Sequence, residues 1–229
     1  MPDTLPETAS SASIPTSSRL AARFLGSVEK HRLTGLIRSG DLRLVRDIEL
    51  LAPEQLPQVA RRGLWLLLGS GVFFIALDLI ARSSQPSSPL FGVGGVGAVA
   101  LLIVLNILGY ALIIPIHEGV HALIIVALGG RPRFGVRWPL AAYCTAPNQL
   151  FTRNGYIAVA LAPLIALTIA GVLVTWLFPD AGAAIVLAMA GNISGAIGDL
   201  VAVDGLRRLP PSTLIADTAT GFLAYEPVS

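Results

Sequence analysis

The sequence predicts an all-α polytopic membrane protein, with about four transmembrane helices and a small cytosolic loop that reads like a β-hairpin. Three observations lead there. Four apolar runs, at residues 63–81, 98–128, 156–178 and 181–203, each reach the ~20 residues a helix needs to cross the hydrocarbon core. Hydrophobic residues make up 54% of the 229 and charged ones only 13%, with a mean hydropathy of +0.72, against roughly 25% charged in a soluble domain. The arginines, finally, gather at alternate ends of the runs.

Taken in order, residues 1–19 are rich in Ser, Thr, Pro and Ala around no apolar centre. They read as a disordered tail and lack the basic and apolar regions of a signal peptide. Residues 20–60 form a cytosolic segment, in which DLRLVRDIELL (41–51) partly alternates like a strand and partly repeats like a helix. His31 lies here and reads as a surface residue.

Residues 61–210 make the four-helix domain. Arg61 and Arg62 precede the first run, Arg131, Arg133, Arg137 and Arg153 fill the loop after the second, and Arg207 and Arg208 follow the fourth. By the positive-inside rule both termini and the Arg-rich loop lie in the cytoplasm, in what is read as a bacterial cell membrane. Asp78 and Arg82, four residues apart at the far end of the first run, form a local ion pair.

Within the loop, residues 134–138 and 142–145 are β-prone and separated by Pro139, the pattern of a hairpin. Such a hairpin offers an edge for strand addition by an extended peptide, or lies on the membrane surface anchored by Trp138 and Tyr143. Residues 211–229 follow Pro210 as a mixed C-terminal tail.

Composition also excludes. A net charge of +2 without a basic, aromatic-interleaved patch gives no case for nucleic acid. The single cysteine, Cys144, cannot form an intrachain disulfide; it reads as a small loop or core residue rather than a thiolate ligand.

The chemistry sits in the second run, where His117-Glu118-Gly119-Val120-His121 interrupts an otherwise apolar stretch. Histidines four apart on a helix lie one turn apart on one face and reach a single Zn²⁺, with Glu118 beside them as the base that activates water. Ionisable groups near hydrocarbon are costly unless they face a partner, a metal or water, so the trio marks a functional site. The competing reading is a satisfied polar cluster that merely holds helices together.

A catalytic zinc needs a third protein ligand and an open position. Counting 1.5 Å per residue from the start of the second and fourth runs puts His117 at about 29 Å and Asp199 at about 26 Å, nearly one depth, so Asp199 is the preferred ligand. Asn192 shares its face, seven residues earlier, and reads as a group that hydrogen-bonds substrate or ligand. Asp204 is the rival ligand, about 140° away around a helix, so the two aspartates do not share one metal on an unbroken helix.

The HEGVH motif in the second of four spans, the Gly-Gly-Arg-Pro-Arg-Phe-Gly run at 129–135, the Tyr-Cys-Thr-Ala at 143–146, Leu161-Ala162-Pro163, and Gly198-Asp199 together resemble the membrane zincin peptidases of unassigned substrate. The resemblance covers residues 90–225. In plan those proteins are similar to site-2 proteases, whose HExxH helix and a later Asp-bearing helix hold zinc within the bilayer. Site-2 proteases set their Asp in an Asn-Pro...Asp-Gly context, whereas Asn192 lacks the proline and Asp199 precedes Leu200; Asp204-Gly205 fits that element better locally, so the choice of ligand stays open.

Two function classes follow. The first is a zinc metallopeptidase that hydrolyses peptide bonds of membrane-associated proteins near the cytosolic face, with Zn²⁺ as cofactor, the lipid bilayer and a protein or peptide substrate as partners, and no nucleic acid. The second is a non-catalytic metal-binding scaffold or transporter component. Glu118 favours the first, because a structural zinc closes its fourth position and has no use for a base.

Overall fold

The computed structural model describes residues 24–25, 42–49, 53–84, 95–137, 141–147, 149–218 and 221–227. Among these residues five helices and seven strands follow one another as β1 (Phe24–Leu25), β2 (Leu42–Glu49), α1 (Leu56–Ser83), α2 (Val96–Ala127), β3 (Arg133–Arg137), β4 (Ala141–Thr145), β5 (Leu150–Thr152), α3 (Arg153–Leu177), α4 (Pro179–Gly195), α5 (Ile197–Leu206), β6 (Leu214–Thr218) and β7 (Gly221–Pro227). Four helical stretches, with α4 and α5 counted together, are long and apolar enough to cross a membrane.

Local chemistry sets the ends of these elements. α1 and α4 each begin with a proline in the first turn, where its missing N–H costs nothing. Thr152 caps α3 by accepting the Gly155 N–H at 3.1 Å. α2 ends in a Schellman turn: Gly129 takes φ +86°, the Gly130 N–H reaches the Ile125 carbonyl and the Gly129 N–H that of Val126. The left-handed residue there must be glycine-like, and it swings the chain out of the motif helix into β3.

α4 is the centre of the bundle. It packs on α1, α2 and α3, whereas α1 and α2 do not pack along each other. Phe74, Ile113, Ala188 and Met189 form the bundle core, and a side chain at Gly171 or Gly182 would collide with Met189 or Thr175. Asn106 fastens α2 to α4 by donating to the Ala183 carbonyl at 2.9 Å and accepting the Leu187 N–H at 2.9 Å. Such a polar clasp supplies the helix attraction that lipid cannot provide. The outward faces stay apolar and exposed, as at Val72, Ile75, Val104, Leu112 and Leu173.

At the end of the bundle away from the strands, the ion pair expected between Asp78 and Arg82 is present at 2.8 Å, and Arg82 also reaches Asp180 at 2.9 Å and the Pro179 carbonyl at 2.6 Å. This clamp ties the end of α1 to the start of α4.

The other end carries the strands, and here the all-α expectation is corrected. β3 and β4 pair as the expected antiparallel hairpin, with Phe134 opposite Cys144. A second sheet was not foreseen: five strands in the order β1-β5-β6-β7-β2, parallel only between β1 and β5. Residues 42–49 resolve their mixed pattern as a strand, antiparallel to β7. Residues 211–229, read as a mixed tail, contain β6 and β7. The reason is burial: Ile215, Phe222 and Ala224 pack with Phe151, Leu206, Val159 and Ile125 in a core at the strand end of the helices. Expectations for residues 1–19, His31 and Trp138 lie outside the described residues.

The fourth run also differs from one straight span. It breaks at Ala196, where ψ is 4°, between Gly195 and Gly198, two poor helix formers. Asp199 consequently stands in the first turn of a new helix, where the N-terminal dipole favours an anion.

Candidate metal centre

α2 supplies His117 and His121, both buried, and the start of α5 supplies Asp199. His117 Nε2 lies 3.2 Å from Asp199 Oδ2 and His121 Nε2 lies 3.5 Å from Asp199 Oδ1; all three donor atoms fall within 4.8 Å of one another. Ligands held about 2.0–2.1 Å from a tetrahedral zinc stand about 3.4 Å apart, so the spacing fits such an ion.

The opposite edges of both rings are engaged. His121 Nδ1 donates to the Val159 carbonyl at 2.9 Å, and since a carbonyl only accepts, the proton of a neutral ring is on Nδ1 and the lone pair is on Nε2. His117 Nδ1 donates to Asn192 Oδ1 at 3.0 Å, with the same consequence. Two lone pairs and a carboxylate therefore converge on one point. Three acceptors in contact repel unless a proton or a cation lies between them, and orienting partners of this kind are what metal-bound histidines use.

Of the residues singled out from sequence, the structure brings together His117, His121, Asp199, Asn192 and Glu118. Asp204 lies apart, half-exposed, paired with Arg207 at 2.5 Å and Arg208 at 2.7 Å. Five residues on from Asp199, it faces the arginines that end α5.

Glu118 flanks the donors on α2. β4 packs against the motif helix, and Ala142, Tyr143 and Cys144 line the same cavity as Glu118. The Cys144 thiol stands outside the group of converging donors, and burial, with Glu118 and Asp217 nearby, pushes it up to about 12.

Sequence reasoning missed Tyr156 and Asp217. Tyr156 Oη donates to Asp217 Oδ1 at 2.7 Å, and the Ala146 N–H donates to Asp217 Oδ2 at 2.8 Å. Burial holds this carboxyl above the usual carboxylate range even though both hydrogen bonds favour its charged form. The pair joins β6, α3 and the end of β4 at the wall of the site. Gln149 adds a second tie, accepting the Arg131 N–H at 2.7 Å and donating to its carbonyl at 2.8 Å, which closes the base of the hairpin. Only the β-prone LIADT at 214–218 could have hinted at Asp217.

Two cavities meet at Glu118. One, of ≈ 200 Å³, is lined by His117, His121 and Asp199 together with Tyr143, Tyr156 and Asp217. The other, of ≈ 350 Å³, opens among α1, α2 and α4. His117, Glu118, Ala142 and Gly195 belong to both.

Residues 110–214 match the family model described as "Putative zincin peptidase", which contains the motif, the Asp199 helix and the hairpin. The resemblance drawn from the motif is thus shown over that part of the chain. No curated protein and no solved structure matches.

Proposed function

We propose that the protein is a membrane-embedded zinc metallopeptidase that hydrolyses peptide bonds of membrane-associated proteins near the cytosolic face. The observation that carries this reading is the convergence of His117 Nε2, His121 Nε2 and Asp199 on one point beside a carboxylate, Glu118, that is not itself a donor to that point. Zn²⁺ held there supplies a Lewis acid and makes water nucleophilic near neutral pH. The residues divide the remaining work. Glu118 takes a proton from the attacking water and passes it to the leaving nitrogen. Asn192 and the Val159 carbonyl hold the imidazoles in the tautomer that presents Nε2.

The hairpin suits an extended substrate. Among the described strands β4 pairs with β3 alone, and its Ala142, Tyr143 and Cys144 line the cavity beside Glu118, so its other edge is open to a peptide there. A peptide laid along that edge exposes the amides that a helical segment keeps in internal hydrogen bonds. Orientation rests on charge: Arg61, Arg62, Arg131, Arg133, Arg153, Arg207 and Arg208 all belong to the strand end of the bundle, and the positive-inside rule supports a cytoplasmic reading of that end and of both termini.

Glu118→Gln tests the reading. The change is nearly isosteric, so bound zinc and thermal stability are expected to stay while cleavage of a membrane-associated substrate falls by about 10²–10⁴. Unchanged cleavage would end the hydrolytic reading. Loss of zinc together with stability would make Glu118 a structural or ligand residue, as in a metal-dependent scaffold.

A further inference from the structure

The two cavities that meet at Glu118 are built by different elements. Beyond His121 and Asp199 the smaller one is walled by Tyr143, Tyr156, Asp217 and Thr218 and by the apolar Val159, Ala160 and Ala202. The larger one is walled by Leu64 and Leu67 of α1 and by Tyr110, Ile113 and Ile114 of α2. Its ≈ 350 Å³ exceeds by far the ~30 Å³ share of one water and accommodates a large side chain.

Glycines make the room. Gly191 lets Tyr110 lie flat on α4, since a Cβ there would stand 2.6 Å from the ring. Gly195, at the neck shared by both cavities, meets nothing within 4 Å of where its Cβ would be, so any side chain there would fill the passage.

The neck fixes what the larger cavity can serve. A group seated among Leu67, Tyr110 and Ile113 holds whatever it is attached to between His117 and Glu118, and Ala142 brings the β4 edge along the same passage. One polar group is also left over. Asn192, 2% exposed and on the wall of this cavity, spends Oδ1 on His117 and keeps Nδ2 buried with no partner. A buried amide donor without an acceptor is costly, and a peptide carbonyl entering the neck supplies that acceptor. Side chains of Leu64, Leu67, Tyr110, Ile113 and Ile114, a spare amide donor and a mouth on the catalytic carboxylate match an amino-acid residue with a large apolar side chain.

We propose that this cavity is the subsite that receives a large apolar side chain immediately next to the scissile bond, with the residue across the bond held in the smaller cavity. The inference rests on the peptidase reading and names its specificity. α1 and α2 leave an apolar groove between them, floored by α4, and the cavity joins it through Leu67. An apolar stretch of substrate thereby reaches the neck without crossing the smaller cavity.

Two measurements test it. The first maps cleavage sites in a mixed peptide library for the zinc-loaded protein and for Leu67→Trp, which fills the cavity away from the metal donors. Wild type is expected to favour Leu, Phe or Met at one position flanking the cut, and Leu67→Trp to shift that position toward Ala or Gly by roughly tenfold or more, leaving the other flank unchanged. A preference that does not move overturns the subsite.

The second uses Glu118→Gln protein and a peptide with benzoylphenylalanine at the favoured position, or at the centre of an apolar library peptide if nothing is cut. Photocrosslinks are expected on Tyr110, Ile113 or Leu64. Crosslinks there without any cleavage by wild type would support the subsite and sink the peptidase reading. Cleavage with crosslinks elsewhere would sink the subsite alone, as would displacement of the peptide by added phospholipid.

Discussion

At the end of the bundle away from the strands, Arg82 meets Asp78 and Asp180 with charge of opposite sign; at the strand end, His117, His121 and Asp199 meet with acceptor atoms turned on one another. Both clusters join helices distant in sequence, and both sit among apolar residues. The first is closed in that it holds its own counter-ion, a guanidinium that bridges both carboxylates, although Asp78 Oδ1 keeps no hydrogen-bond partner. Among the described residues the second brings no arginine or lysine into its ion pairs, and Arg207 and Arg208, which follow α5, are engaged by Asp204. A closed cluster is a staple and an open, convergent one is a site for a cation, and this contrast predicts opposite responses to mutation.

The largest effect is expected at the open cluster. Ala at His121 or Asp199 should take bound zinc from about one per chain to near none, while Asp204→Ala leaves it unchanged, measured by metal analysis of purified protein. Fold should survive, because each residue removed relieves a repulsion among acceptors as well as losing a contact. Zinc retained in Asp199→Ala and lost in Asp204→Ala would move the third ligand to Asp204.

The closed cluster should answer the other way. Arg82→Ala leaves Asp78, 8% exposed, without its counter-charge. A destabilisation of about 2–3 kcal/mol is expected, below the ~3–5 of a fully buried pair because the Arg82 side chain keeps 24% of its surface accessible. Thermal unfolding in detergent would show a lower midpoint with zinc content intact. If zinc fell with the midpoint, the two ends would be coupled rather than separate.

Asn192→Ala lies between these cases, since Asn192 belongs to the bundle but serves the open cluster. Losing the bond to His117 Nδ1 should weaken zinc affinity by roughly 10–100-fold, as removal of such orienting partners does, with little change in fold. A chelator competition would measure it, and an unchanged affinity would reduce Asn192 to packing.

The same contrast explains what could be read from the sequence. His117, Glu118 and His121 are legible because their relation is local, one helical turn, and Asp199 followed from counting residues across a slab of known thickness. The Asp78–Arg82 pair was legible for the same reason, but its third member, Asp180, depends on α4 beginning beside the end of α1. Nothing local announced the five-stranded sheet. Its register pairs Leu42 with Pro227, and LIADT and GFLAYEP earn their strand character from the core formed with Phe151 and Leu206 rather than from a strong alternation of their own. Nor was the break at Ala196, between Gly195 and Gly198, which delivers Asp199 to the histidines, announced by any local pattern.

Tyr156 and Asp217 give the smallest and most specific test, because they place a staple at the open end. Tyr156→Phe removes one donor from the Asp217 carboxylate and should cost about 1–2 kcal/mol at neutral pH, in the range of a hydrogen bond to a charged group. The cost should depend on pH with a definite sign. Burial holds the folded Asp217 above its unfolded value of 3.8, so as pH rises through 3.8 the unfolded chain releases its proton first and stability falls until the folded group also ionises. The Tyr156 hydroxyl opposes that rise by favouring the charged form. Without it the folded value climbs further, the falling window extends upward, and the deficit at neutral pH grows. Below 3.8 both states hold the proton, and the wild type and Tyr156→Phe should differ least. The readout is the difference in thermal midpoint between the two proteins at pH 4 and pH 7. A difference that does not grow between those values would mean that Tyr156 contributes packing against Phe151 and Phe222, and not charge stabilisation, to the wall of the site.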